Sequence, residues 1–467
     1  MALNEPDTEV LQRLGEITPV HAPTAAYLKE PRGRYKGQAA GVLRPENTAQ
    51  IAAIMRVCNA HKIGVIPYGG GTGLVGGQVM EGIPRSIILS LERMHAVRDI
   101  HASDNVMVVD AGAILQDIQR AAENARRIFP LSLASEGSCQ IGGNLATNAG
   151  GVNVLRYGNA RALCLGLEAV LPDGTVFNGL KRLPKDNTGY DLRDLLIGAE
   201  GTLGIITAAT LKIFPKPVDI EVAFINVATP QTALDLLNHM AARFGNNISA
   251  FELIHRQGLD FLAETGLAFA APLAGRPEWM VLVECGMGAE SGLKERFEDS
   301  LAEAFEGNFL QDAAIAQNLA QQRAFWDIRE NIPEANRKIG VISSHDISVP
   351  VSTIPAFITQ GKQIVAKINP AFRVNCFGHL GDGNLHYNVY PPQGVNRAEF
   401  DDIRGEIKDS IYDLVESFGG SFSAEHGIGR MKKADLAKYG DTGKLTAMRA
   451  IKQALDPNGI MNPGAVI

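Results

Sequence analysis

A chain of 467 residues, 45% hydrophobic and 20% charged, has room for two or three domains with ordinary cores, and its composition is neither fibrous nor low-complexity. A formal net charge of −7 with no lysine or arginine run argues against a nucleic-acid-binding surface, and no apolar run approaches the roughly 20 residues a membrane span needs. The five cysteines (Cys58, Cys139, Cys164, Cys285, Cys376) form no C-x-x-C pair, which argues against a disulfide framework or cysteine-based zinc site; with no signal peptide in the first residues, a cytoplasmic protein is expected.

Residues 1–35 read as a polar N-terminal segment ahead of the first folded unit. Asn47-Thr48 introduces a helix, because Ile51, Ile54, Met55 and Cys58 recur at the i, i+3, i+4, i+7 spacing of one helical face. A strand from Gly64 to Tyr68 then enters the stretch Pro67-Tyr-Gly-Gly-Gly-Thr-Gly-Leu-Val-Gly-Gly77. The six glycines between Gly69 and Gly77 allow positive φ and close approach of a ligand, and the backbone N–H groups suit phosphate oxygens. Gly71, Gly73 and Gly76 also satisfy G-x-G-x-x-G, but a dinucleotide-binding Rossmann turn needs a helix directly after it. Gln78–Pro84 carries Gly82 and Pro84 and leads into the strand-like Ser86–Leu91, so no helix opens there. A plain turn is the other reading of an isolated glycine run.

Strands near 86–91 and 105–111 and a helix near 113–126 follow. Ala134–Gly151 is a second glycine-rich region, long for a loop and anchored by Ile141, Leu145 and Ala146; its length favours function. Two phosphate-friendly loops before residue 160 point to a large, extended cofactor. Leu167–Leu171 turns at Asp173-Gly174 into Thr175–Phe177, a hairpin signal. Strand-dominated sequence then runs to Phe214, and Pro215-Lys-Pro217 marks the end of a first domain over residues 36–217.

From residue 220 strands and helices alternate, which predicts an α+β sheet over 218–420 with helices on one face, ferredoxin-like in pattern. Arg323–Arg337 reads as a helix interrupted by Pro333, and His345–Pro350 as a strand. Residues 421–467 form a terminal segment, helical from Leu445 to Asp456, and no internal repeat is visible.

The residues most suited to metal chemistry lie in His379-Leu-Gly-Asp-Gly-Asn-Leu-His386-Tyr-Asn388 and in Ser423-Ala-Glu-His-Gly427. Strand character over Leu385–Tyr390 puts His386 and Asn388 on one face. The Gly-Asp-Gly turn can fold His379 back toward His386, and Glu425 could complete a set of two histidines and one carboxylate with open coordination positions. Such a set also suits Fe(II). The plainer reading is a pair of hydrogen-bonded core histidines, and Asp382, the competing carboxylate, serves the turn.

Together, Gly69–Gly77, Gly137–Gly151, Asn187-Thr-Gly-Tyr190, Gly198-Ala-Glu-Gly-Thr-Leu-Gly-Ile205, Gly378–Asn388, Ala424–Gly429 and Gly459-Ile-Met-Asn-Pro463 resemble the FAD-linked 2-hydroxyacid dehydrogenases of the vanillyl-alcohol oxidase superfamily. The D-2-hydroxyglutarate and D-lactate dehydrogenases are most similar. No single motif is specific; seven in family order over residues 69–463 are.

The resemblance implies an α+β protein with a two-subdomain FAD-binding domain, a ferredoxin-like cap and a C-terminal segment returning to the FAD domain. Pro67, Gly69, Gly70, Gly71, Thr72, Gly73 and Gly77 would cradle the pyrophosphate, and Gly137, Gly142, Gly143, Thr147 and Gly150 would support the flavin. Glu200, Gly201 and Ile205 would lie near the adenine end or adjoining backbone, and Asn462 near the ring. Neither glycine loop offers a histidine for covalent attachment, so the FAD would be dissociable.

By the same resemblance a divalent ion, Zn²⁺ or alternatively Mn²⁺, would bind His379, His386 and Glu425 and hold the substrate's hydroxyl and carboxylate. His426 would be the general base, Arg329 would clamp a carboxylate, and Asn388 would donate a hydrogen bond. A solvated helix-face charge is the plainer reading of Arg329. The expected reaction is oxidation of a D-2-hydroxy acid to the 2-oxo acid with hydride transfer to flavin N5; an O₂-using flavin oxidase is the alternative. Hydroxyglutarate-type members carry a Thr and a Lys where this chain has Pro333 and Ser344, which brings D-lactate and D-malate forward unless Arg337 or Lys338 replaces the charge. Electron-transfer flavoprotein, a quinone or a cytochrome could accept the electrons, and a homodimer is expected because symmetric dimers are the commonest assemblies.

Overall fold

The computed structural model describes residues 2–82 and 84–467 and divides into two compact units. One comprises Met1–Gly151, Gly158–Lys216 and Glu425–Ile467; the other comprises Val152–Tyr157 and Pro217–Ala424. Residues ahead of 36 are therefore part of the first unit rather than a segment apart, and the chain returns to that unit at Glu425.

The first unit holds two larger sheets. Strands β1 (Val20–His21), β2 (Gly41–Leu43), β3 (Val65–Tyr68) and β4 (Ile87–Ser90) lie in the order β1-β2-β4-β3, with β2, β4 and β3 parallel. The crossover from β2 to β3 is the helix Thr48–His61, which buries Ile51, Ala52, Ile54, Met55 and Cys58. It starts where the Asn47 side chain accepts a hydrogen bond from the Gln50 N–H, an N-cap that satisfies one of the end donors. The first glycine loop lies in the connection from β3 to β4, and no helix forms between these strands among the described residues. The G-x-G-x-x-G match is therefore not a Rossmann turn.

The second sheet is antiparallel. It contains β5 (Val97–His101), β6 (Val106–Asp110), β8 (Cys164–Val170), β9 (Val176–Gly179) and β10 (Ile205–Lys212), in the order β5-β6-β10-β8-β9. A short pair, β7 (Arg127–Ile128) with β11 (Phe214–Pro215), lies apart. The second glycine region is not one long loop, because the helix Ile141–Ala146 forms inside it with Ile141 and Leu145 fully buried.

In the second unit β12 (Asp219–Val227), β13 (Ile248–His255), β14 (Trp279–Met287), β15 (Asp312–Ile315), β16 (Ser343–Ser348), β17 (Arg373–His379) and β18 (Asn384–Tyr390) form one antiparallel sheet. Its order is β15-β12-β14-β13-β17-β18-β16. The first four strands, with helices Pro230–Phe244 and Leu293–Glu306, make a βαββαβ unit in ferredoxin-like order. Then β16, helix Ile354–Ile368, β17 and β18 repeat its first βαββ part in the same relative order, and β13 pairs with β17 at the seam. This repeat of topology was not visible in the sequence, because it needs only similar burial patterns and not similar residues.

Both faces of this sheet are covered, not one. Phe224, Ile254, Leu282 and Phe377 pack with Ile328 and Ile332 of the helix Leu319–Ile339 and with Leu259 and Phe261 of the helix Arg256–Glu264. Runs such as Val222–Ile225, buried at every position, require cover on both sides. The helix Leu319–Ile339 also passes through Pro333 without ending. Proline lacks the N–H that would bond the Arg329 carbonyl, a cost that burial of Phe325, Ile328, Ile332 and Ala335 offsets.

Candidate functional site

In the first unit the two glycine regions touch. A Cβ on Gly70 would sit 2.1 Å from the Ser138 carbonyl oxygen and 2.8 Å from Cys139 Cα, so only glycine allows the approach. Among the described residues, none of the backbone N–H groups from Gly69 to Gly77 donates to a protein acceptor. Buried or half-buried backbone donors are ordinarily paired, so an unpaired run on a loop suits the phosphates of a dinucleotide. Gln140, against Gly69, has a buried Oε1 with no partner, a second polar atom that a flavin nucleotide could satisfy. The residues present therefore fit FAD.

The other expected cofactor residues hold the loop or the core. Glu200, at φ +51°, accepts hydrogen bonds from the Ile428 and Gly429 N–H groups, both at 2.7 Å. Burial pushes its carboxyl up, against the opposing effect of those two N–H groups. Gly201 packs against Pro67, Ile205 opens β10 in the core, and Thr147 Oγ donates to the Gly143 carbonyl within the short helix. Gly137 lies against Gln116 and Gly142 against Ala111. Asn462 donates to the carbonyls of Gly77 and Glu200. Glu425 belongs to this unit and accepts from the Gly151 N–H at 3.2 Å, with His426 Nε2 3.8 Å from its other oxygen.

In the second unit one sheet face is polar where β13, β17, β18 and β16 meet. Strand register sets Glu252 opposite His379, His379 opposite Asn384, and Asn384 opposite Ser348. The neighbouring row runs Phe377, His386, Asp346, and the next Asn375, Asn388, Ser344. The fully buried Glu252 accepts from Arg329 Nε at 2.7 Å and lies 2.5 Å from His379 Nδ1. The Arg329 guanidinium also stands 4.7 Å over the Phe377 ring. Its side chain is 7% exposed, which excludes a solvated surface charge. Among the described residues no hydrogen bond reaches its two terminal nitrogens.

His386 lies on the same face, its ring centroid 5.8 Å from that of His379, with Nδ1 3.9 Å from Asp346 Oδ1. Asn384 Nδ2 donates to the same Asp346 oxygen at 3.0 Å. Asn388 Oδ1 accepts from the His345 N–H at 3.3 Å. The Ala424 N–H, one residue before Glu425, bonds the Asp346 carbonyl at 3.2 Å. A carboxylate behind a histidine fixes the ring and presents the opposite nitrogen, as metal-binding histidines require, so the donor chemistry fits a divalent ion. Arg337 and Lys338 are exposed, and Arg337 pairs with Glu334; neither supplies a replacement charge on this face.

Glu252 was not singled out from the sequence. Its signal was a lone carboxylate inside the apolar strand Ile248–His255, a position that demands a partner. Burial raises its pKa, but the charges and hydrogen bonds of His379 and Arg329 outweigh this and hold it at about 2, below the usual 4.5. Because the folded value is depressed, the stabilisation is complete above pH 4.5 and is lost as the pH falls toward 2. Tm should therefore fall over that interval, and Glu252→Gln should flatten this part of the profile. Circular dichroism melts at stepped pH test this; an equally steep fall in the variant would refute it.

A family model described as FAD linked oxidases, C-terminal domain, matches residues 216–466, and one described as FAD binding domain matches residues 39–179. The mitochondrial D-2-hydroxyglutarate dehydrogenase of Arabidopsis thaliana is 35% identical over 435 residues, 93% of this chain and 76% of that protein. D-2-hydroxyglutarate dehydrogenase of Xanthomonas citri pv. viticola is 35% identical, over 92% of this chain and 90% of its own length. A solved structure of p-cresol methylhydroxylase with substrate bound superposes with a TM-score of 0.78 at 15% identity, covering 98% of this chain and 96% of that one, a likeness of fold alone. The Arabidopsis, cattle and zebrafish relatives are named as mitochondrial, which overturns the cytoplasmic expectation. Buried, reduced thiols are equally at home in any reducing compartment, so the cysteine pattern could not separate them.

Proposed function

The chain belongs to the FAD-linked D-2-hydroxyacid dehydrogenases of the vanillyl-alcohol oxidase superfamily, and on that premise we propose a metal-assisted reaction with His426 as the base. When bound, FAD would supply the hydride acceptor and a divalent ion, Zn²⁺ or Mn²⁺, would supply Lewis acidity toward the substrate hydroxyl. His379, His386 and Glu425 would hold the ion. Glu252 holds the His379 ring through Nδ1, which would leave Nε2 to face an ion. Arg329, tied to Glu252 through Nε, offers its terminal nitrogens to a substrate carboxylate. Asn388 orients the substrate by a hydrogen bond, and His426 removes the hydroxyl proton.

The observation that supports this reading is the buried chain Arg329–Glu252–His379, in which a guanidinium and an imidazole share one fully buried carboxylate. D-2-hydroxyglutarate is the first substrate to test, since the relatives carry that name. The uncharged row Asn375, Asn388, Ser344 favours a monoacid such as D-lactate as the second reading, with D-malate as the other diacid to test. A soluble electron-transfer flavoprotein or a quinone would take the electrons, and no helix among the described residues is long and apolar enough to cross a membrane.

Anaerobic bleaching of the bound flavin by each D-acid, before and after chelation, tests the assignment. Bleaching by one acid should be lost on chelation and restored by metal, and His426→Ala should slow it at least about a hundredfold. If no acid bleaches the flavin with metal restored, the 2-hydroxyacid reading fails. Normal bleaching in the His426→Ala protein would remove that residue as the base.

A further inference from the structure

The first glycine loop is held through its carbonyl oxygens. Gln78 Nε2 donates to the carbonyls of Gly71 and Gly73, at 3.3 and 2.8 Å. Arg430 Nη1 donates to those of Gly76 and Gly77, both at 2.9 Å, and the Arg430 and Met431 N–H groups donate to that of Val75. Asn462 adds a second bond to the Gly77 carbonyl. In a planar trans peptide the N–H points away from the C=O. Drawing these carbonyls to one side therefore turns the N–H groups of Thr72, Leu74, Gly76, Gly77 and Gln78 to the other.

Arg430 is the centre of this arrangement. Its Nη2 donates to Asn462 Oδ1 and to the Pro463 carbonyl, so one guanidinium spans the glycine loop and the chain end. Among the described residues, every hydrogen-bond partner of its guanidinium is a neutral oxygen. Burial pushes its pKa down to about 10, against the opposing charges of Tyr35 and of Glu200, which itself is bound to the Ile428 and Gly429 N–H groups. A buried cation without a hydrogen-bonded carboxylate, set behind a run of unpaired N–H groups, matches an anionic occupant on the far side of the loop.

We propose that Arg430 is a positioning residue for FAD: from the C-terminal segment it pre-orients the Gly69–Gly77 loop so that its N–H groups receive the pyrophosphate. The inference rests on FAD as the cofactor and not on the substrate or the metal.

The test uses the full chain stripped of FAD and titrated with FAD, ADP and riboflavin, followed by flavin fluorescence and, for ADP, by competition. Arg430→Met should weaken FAD and ADP in parallel by about a hundredfold, the scale of losing several hydrogen bonds to a charged group. Riboflavin, which has no phosphate, should bind as in the parent. Arg430→Lys keeps the charge but cannot span the same oxygens, and should lose about tenfold for FAD. Parent-like FAD affinity in Arg430→Met would overturn the proposal, and so would an equal loss for riboflavin, which marks a merely structural role. Should Arg430→Met not fold, Arg430→Lys decides, and parent-like FAD affinity in it overturns the proposal. A parent protein that takes up no FAD would sink the cofactor assignment and this inference together.

Discussion

The His386→Ala protein should bind FAD as the parent does and yet bleach it with a D-2-hydroxy acid about a thousandfold more slowly, or worse. Lewis-acid assistance supplies several kcal/mol of transition-state stabilisation, and each ~1.4 kcal/mol is tenfold in rate. The fold should survive, because Asp346 keeps its hydrogen bond from Asn384 when the imidazole is gone. The glycine loops lie in the first unit and His386 in β18 of the second, so cofactor uptake and flavin reduction can be read separately. Stopped-flow bleaching beside an FAD titration makes the comparison. Parent-like bleaching would take the metal out of the reaction, and a parallel loss of FAD would reassign His386 to folding.

Arg329→Met should lower stability by about 3–5 kcal/mol, the cost of leaving a buried charge with one partner removed. Glu252 is fully buried and Arg329 supplies one of its two close partners, while the guanidinium also stacks on Phe377. Urea denaturation should show a lower midpoint at unchanged slope. The double variant Arg329→Met/Glu252→Gln should recover much of this loss, since an uncharged pair needs no compensation. It should not recover substrate-dependent bleaching, because the guanidinium proposed to hold the substrate carboxylate is still missing. A double variant as unstable as the two single losses added would show that the pair is not coupled. Recovered bleaching would show that Arg329 has no part in binding substrate.

Much of the fold was legible where the cause is local. The helix Thr48–His61 follows from the spacing of Ile51, Ile54, Met55 and Cys58 and from the Asn47 cap. The turn at Asp173-Gly174 joins β8 to β9 as the hairpin signal required. The glycine loop announced unpaired N–H groups because its own residues can neither build a helix nor fill the space. The Pro333 reading missed for a non-local reason: four buried side chains on one helix face outweigh a single absent hydrogen bond.

By itself the sequence singled out a glycine loop rich in backbone donors near residue 70 and an imidazole, His386, sharing a strand face with the amide of Asn388. Both rest on the geometry of neighbouring peptides, which propensity and period can read. Tertiary structure alone decided who stands behind them. Glu252 meets His379 across a strand register spanning 127 residues, and Arg430 reaches the carbonyls of Gly76 and Gly77 from 354 and 353 positions away. Register and chain return are set by how whole faces bury together, and no local pattern encodes which distant charge will share a buried oxygen.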